Sequence, residues 1–98
     1  MNSPATPISQ LRNLGPVSAR QLARIKVTNL FELNKKGAMN CFIELSQLED
    51  YQPGLNFLYA MLGALENKHW TEYKKRKGEL LIELESQREF LDLMQNNT

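Results

Sequence analysis

A chain of 98 residues can enclose only one core, so a single domain is expected. With 42% hydrophobic and 23% charged residues, the composition is that of an ordinary globular protein and excludes the disordered and collagen-like classes. The formal charge of +1 divides unevenly: residues 1–48 carry six basic against two acidic side chains, a net of +4, and residues 49–98 carry six against nine, a net of −3.

In chain order, Met1 to Pro7 are small, polar and proline-rich, which predicts a flexible N-terminal segment over residues 1–7. Pro7 opens a brief helix through Asn13, with Ile8, Leu11 and Leu14 on one face. Gly15-Pro16 breaks it, and Pro16 starts a second helix with Ala19, Leu22, Ala23 and Ile25 inward and Arg20 and Arg24 outward. Thr28 is expected to cap a third helix, in which Leu30 and Leu33 face the core and which Gly37 ends. A fourth runs from about Ala38 to Gln47, with Ala38, Cys41, Phe42 and Leu45 at helical spacing. After Pro53-Gly54 comes Leu55 to about Glu66, apolar nearly all round and hence central.

From Thr71 to about Gln95 the chain reads as one long amphipathic helix. Leu80, Leu84, Gln87, Leu91 and Met94 alternate spacings of four and three, a heptad seam with a polar middle. Such a helix outreaches the preceding core, so Leu80, Leu84, Leu91 and Met94 are the candidate protein interface, with a homodimer as one outcome. No stretch alternates as a strand does. The fold expected is all-α: a compact five-helix body over residues 8–73 and a C-terminal helical extension over 74–98.

Catalytic groups are sparse. His69 and Cys41 are the only residues of their types, so no four-ligand zinc site forms within one chain. Cys41 sits on an apolar helix face beside Phe42 and reads as a packing thiol. Trp70 reads as a plug at the core edge with His69 trailing beside it. Glu83, Glu85 and Glu89 read as a solvated helix face. No catalytic residue, metal or cofactor is expected. No apolar run reaches the ~20 residues that cross a bilayer, no secretory leader is visible, and a single cysteine suits a reducing compartment. A cytoplasmic protein without membrane contact is expected.

Two cationic features are candidates for nucleic-acid contact. One is the run Lys74-Lys75-Arg76-Lys77, which could meet phosphates. The other is the turn Asn13-Leu14-Gly15, which resembles a helix-hairpin-helix turn with backbone N–H groups aimed at a phosphate; Arg12, Asn13, Gly15, Arg20, Arg24 and Lys26 would serve it. Asn13 stands where that pattern prefers glycine, and Pro16 removes an N–H.

Taken together, Leu11-Arg12-Asn13-Leu14-Gly15-Pro16, Leu22, Ile25, Val27-Thr28, Leu33 and Gly37-Ala38 resemble the first half of the TfoX/Sxy C-terminal domain. Leu55-Asn56, Leu58-Tyr59-Ala60, Gly63-Ala64-Leu65 and His69-Trp70 resemble its second half in the same order, so the likeness covers about Ile8 to Tyr73. The resemblance implies a SAM-like or helix-hairpin-helix-like domain without enzymatic activity or cofactor. It also implies a role in competence, the uptake of DNA, as a transcription-associated adaptor. The partners it suggests are proteins, either the transcription machinery or a CRP-type activator, with DNA as the alternative. One departure is Lys26, where the family commonly has glycine.

Overall fold

The computed structural model describes residues 2–96; Met1 and residues 97 and 98, the outer ends of the two terminal segments, lie outside the described residues. Five α-helices form the described structure: α1 (Pro16–Ala23), α2 (Leu30–Lys36), α3 (Ala38–Ser46), α4 (Leu55–Glu66) and α5 (Lys77–Asn96). Two 3-10 segments, Ile8–Gln10 and Trp70–Arg76, complete it. The class is all-α, as the sequence predicts.

The entry to α2 shows why the first residues are placed as they are. A helix start leaves backbone N–H groups without intrahelical partners. Here the N–H of Leu30 donates to the Thr6 carbonyl and that of Phe31 to the Pro4 carbonyl, both at 2.9 Å, while the Glu32 N–H donates to the Asn29 side chain. The segment expected to be flexible therefore supplies acceptors to α2. The cap is Asn29 rather than Thr28, one residue later than predicted. Thr28 instead donates its N–H and hydroxyl to the Glu32 carboxylate at 2.9 and 2.6 Å. Those two bonds hold the Glu32 pKa below its usual value, because they favour the charged form.

Before Gly15 the backbone makes only the three-residue 3-10 turn, not the helix through Asn13 that the sequence suggested. Ile8, Leu11 and Leu14 are nonetheless all buried. A hydrophobic spacing of three is satisfied by either repeat, which is why the pattern found the face but not the helix type. In α1, Leu22 is buried and Ala19 packs at the core edge, with Ile25 buried just beyond the helix, whereas Ala23 faces solvent, against expectation.

The end of α1 is closed by a Schellman arrangement: the Val27 N–H donates to the Leu22 carbonyl and the Lys26 N–H to the Ala23 carbonyl. It places Lys26 at φ 64°, a left-handed conformation that costs an L side chain roughly 1 kcal/mol or more. Glycine at this position removes that cost and gives back part of it as chain entropy. Lys26→Gly is expected to stabilise the fold by about 0.5–1 kcal/mol, a rise of several degrees in midpoint for a chain of this size. A thermal unfolding curve that moves downward instead would show that the lysine side chain contributes something the backbone argument omits.

Helix α4 is central. Leu58, Tyr59, Ala60, Met61, Gly63 and Ala64 are all buried, and α2, α3 and the second 3-10 segment pack around it. The long helix predicted from Thr71 is interrupted. Over Trp70–Arg76 the 3-10 repeat brings residues three apart onto one side, and this sets Trp70 and Tyr73 against α4 together. The buried Tyr73 hydroxyl donates to the Glu66 carboxylate at 2.6 Å.

Only then does α5 begin. Its predicted seam is turned into its own chain: Leu80 and Leu84 are 2% and 6% exposed, and Leu91 packs against the same core. The polar middle position, Gln87, donates its side-chain amide to Asn40 Oδ1 on α3 at 2.8 Å. The radius of gyration is 13.3 Å, close to the ~13 Å of a compact 100-residue domain. Helix α5 thus lies along the body instead of projecting from it.

Candidate functional site

The turn that resembles a phosphate cradle is occupied by internal bonds. Asn13 sits at φ 71°, a left-handed conformation that asparagine tolerates better than most residues. Its side-chain amide donates to the Lys68 carbonyl at 2.8 Å, and its Oδ1 accepts the Trp70 N–H at 3.3 Å. Both partners belong to the turn that follows α4, which Asn67 closes at φ 57°. Beside it, Arg12 donates to the Asn67 carbonyl at 3.0 Å.

Gly63 makes this junction geometrically possible. A Cβ there would stand 2.3 Å from Asn13 Nδ2 and 2.4 Å from the Lys68 carbonyl oxygen, so only hydrogen fits. Asn13, Gly63 and Trp70, drawn from three separate motifs, form one lock that fixes the exit of α4 to the start of α1. Gly15 begins α1 with extended backbone (φ −133°) and open space around it.

The remaining candidate cations scatter. Arg24 is bound to Asp50 and Gln21, and Asp50 has a lowered pKa chiefly because it accepts that Arg24 bond. Lys74 lies over the Trp70 ring at 4.6 Å, a cation–π contact. Arg76 pairs with Glu79 at 3.2 Å. Arg20, Lys26, Lys75 and Lys77 are exposed, and their side chains make no hydrogen bond or ion pair among the described residues. Two shallow depressions meet at Asn56: Lys74 and Lys77 line one, and Asn13, Ser18 and Trp70 line the other. Arg20, Arg24 and Lys26 line neither.

Among the described residues no group of three or more His, Cys, Asp or Glu is placed to hold a metal ion, and no helix is long and apolar enough to cross a membrane. His69 accepts the Thr71 N–H on Nδ1 and caps the second 3-10 segment, while Trp70 is half-buried at the core edge. Cys41 is fully buried, and burial pushes its pKa up to about 12, since a thiolate in apolar surroundings loses its hydration. Native protein at pH 8 is therefore expected to resist an alkylating reagent for as long as it stays folded, and to react within minutes in denaturant. Rapid stoichiometric labelling of the folded chain would contradict this placement.

The candidate protein interface is changed by the structure. Leu80 and Leu84 are interior and Leu91 is half-buried on the core, which leaves Met94, 56% exposed, as the one accessible member. The opposite side of α5 carries the exposed apolar groups instead: Ile82 at 70%, Phe90 at 55% and Leu93 at 64%. Their separations of eight and three return to one side of a helix. That second series was available in the sequence, but the stronger leucine series hid it.

Comparison with curated proteins gave no match, and neither did comparison with solved structures. The family model of the TfoX C-terminal domain matches residues 5–84. The matched span runs beyond Tyr73 through the first turns of α5 and stops at Leu84, the second of the two leucines that α5 buries in the core. It also takes in the lock of Asn13, Gly63 and Trp70 whole. With most of its length and both buried leucines of α5 inside that match, the chain belongs to the TfoX C-terminal domain family.

Proposed function

We propose that this domain is a non-catalytic cytoplasmic regulator that promotes transcription of competence genes by touching other proteins, among them the transcription machinery or a CRP-type activator. The observation that carries the reading is the apolar series Ile82, Phe90 and Leu93, left exposed on a helix whose other face is already buried. Exposed apolar groups of that size, returning to one side of a helix, mark interaction sites in soluble domains. The candidate cations support DNA contact less well, because Arg12, Arg24, Lys74 and Arg76 are engaged within the chain and Asn13 is committed to the lock.

The test is transcriptional. Cells lacking the chain are complemented with wild type or with an Ile82→Ser/Phe90→Ser/Leu93→Ser variant, and transcripts of the DNA-uptake genes are counted. The variant is expected to fall to the level of the deletion while remaining folded and equally abundant. Transcripts indifferent to removal of the whole chain would end the competence reading.

A second reading, nonspecific DNA binding, is favoured by one fact: Arg20, Lys26, Lys75 and Lys77 are exposed without ion pairs among the described residues. Binding through four phosphates would lose affinity steeply with salt, with a slope near −0.9 per phosphate. Duplex affinity measured at two ionic strengths decides between the readings, and undetectable binding at low salt removes this one.

A further inference from the structure

The chemistry of the partner is written in the charges beside the exposed stripe. At ~100° per residue, Ile82 and Leu93 point in nearly the same direction, and Phe90 lies roughly a quarter-turn away. The buried Leu80 and Leu84 point to the far side. Glu85 and Glu89 border the stripe on one side and Glu83 on the other, while Glu79 stands in line with the stripe just before Ile82. All four are exposed, and only Glu79 is in a salt bridge, with Arg76. Arg88 and Asp92 fall outside these borders. The outer face of α5 thus sets Ile82, Phe90 and Leu93 among exposed carboxylates, with Ser86 between Ile82 and the Phe90–Leu93 pair.

We infer that this face is a docking site for a basic amphipathic helix, a partner segment with an apolar stripe flanked by lysine or arginine. The inference rests on the protein-contact reading above and adds the class of partner. The argument is complementarity. An apolar strip favours an apolar strip, while flanking charges choose among partners and set the association rate. These four glutamates make a second copy of α5 a poor occupant, because pairing the two faces brings up to eight carboxylates together with Arg88 turned away. The same carboxylates repel an anionic lipid surface. A basic helix instead lays its cations against Glu83, Glu85 and Glu89 while its leucines cover Phe90 and Leu93, the helix-in-groove mode of recognition.

The experiment uses the full chain and three synthetic helical probes of equal length. The first carries leucines at helical spacing flanked by lysines; the second has the same leucines flanked by glutamates; the third has the composition of the first with its order scrambled. The expected result is binding of the first probe at least tenfold tighter than either of the others, with amide shifts in nuclear magnetic resonance centred on residues 82–93. Ile82→Ser/Phe90→Ser/Leu93→Ser should lose at least tenfold for that probe. Glu85→Lys/Glu89→Lys should reverse the preference towards the glutamate-flanked probe. Both variants change exposed positions, and circular dichroism verifies that they remain helical.

Equal binding of ordered and scrambled probes, or binding indifferent to the triple substitution, overturns the inference by showing general charge attraction. Self-association of the wild type through the stripe, seen by sedimentation and abolished by Leu93→Ser, overturns it in favour of a second copy. Failure here is separable from failure of the regulatory reading. If the probes do not discriminate but the triple variant still loses transcription, the partner has other chemistry and the adaptor role stands. If the first probe binds as expected while transcription is indifferent, the docking face stands without the competence role.

Discussion

Gly63→Ala is expected to destabilise the fold by about 3 kcal/mol, although in an ordinary helix the same change stabilises by up to ~1 kcal/mol. The sign is decided by space. The new methyl carbon would approach Asn13 Nδ2 to 2.3 Å and the Lys68 carbonyl oxygen to 2.4 Å. The asparagine could swing aside, but it would then release the exposed Lys68 carbonyl and the half-buried Trp70 N–H that it holds, and the latter left unsatisfied costs roughly 1–3 kcal/mol. The carbonyl cannot swing at all without moving a turn pinned by the Lys68 N–H on the Gly63 carbonyl at 2.8 Å. Overpacking of this kind adds roughly another 1–3 kcal/mol. For a chain of this length, 3 kcal/mol lowers the thermal midpoint by roughly 12–24 °C.

A double-mutant cycle makes the mechanism testable apart from the magnitude. Asn13→Gly keeps the left-handed backbone and deletes only the side chain, so it should cost about 1–2 kcal/mol. Because both changes break the same bonds, the pair should cost clearly less than the sum, by at least ~1 kcal/mol. Gly63→Ala should still destabilise in the Asn13→Gly background, since the Lys68 carbonyl remains in the way. A neutral or stabilising Gly63→Ala, or strict additivity, would show that the junction is looser than the contact distances require.

This junction also shows where sequence reasoning stops. The helices α3 and α4 were legible because apolar periodicity and the flanking Gly37 and Pro53-Gly54 are local signals. Asn13 read as a departure from a glycine-framed turn. In the structure the departure has a reason: asparagine adopts the left-handed backbone that glycine would supply and adds a side chain that ties residues 13, 63, 68 and 70 together. Those partners are about fifty positions away in the chain, and no spacing rule connects them. The motifs carrying the family likeness contained all the members of the lock without revealing that they touch. The Asn13 member of that candidate signature therefore serves the geometry of the fold. Lys26 belongs to the same class: its left-handed backbone is imposed by the closing bonds of α1, whatever the side chain does in solvent.

The second large effect separates the two faces of α5 by substitutions two residues apart. Leu84→Asp is expected to cost about 3–4 kcal/mol, and Ile82→Asp no more than about 0.5 kcal/mol. Leu84 is 6% exposed in the core, so replacing it forfeits roughly 1.5–3 kcal/mol of apolar burial and sets a carboxylate where water does not reach. The chain can escape the buried charge only by lifting α5, which surrenders Leu80, Leu91 and the Gln87–Asn40 bond as well. Ile82, by contrast, is 70% exposed, and an acid in the early turns of a helix meets a favourable dipole. Thermal unfolding gives the energies, and amide exchange shows whether α5 opens ahead of the rest. The heptad period announced a seam but not which partner would fill it, since an apolar row is equally satisfied by its own core or by another copy. Sedimentation of the two variants settles that point directly. A wild-type dimer that Leu84→Asp converts into a monomer of undiminished stability would mean that this seam meets a second chain, and that α3 is not its partner.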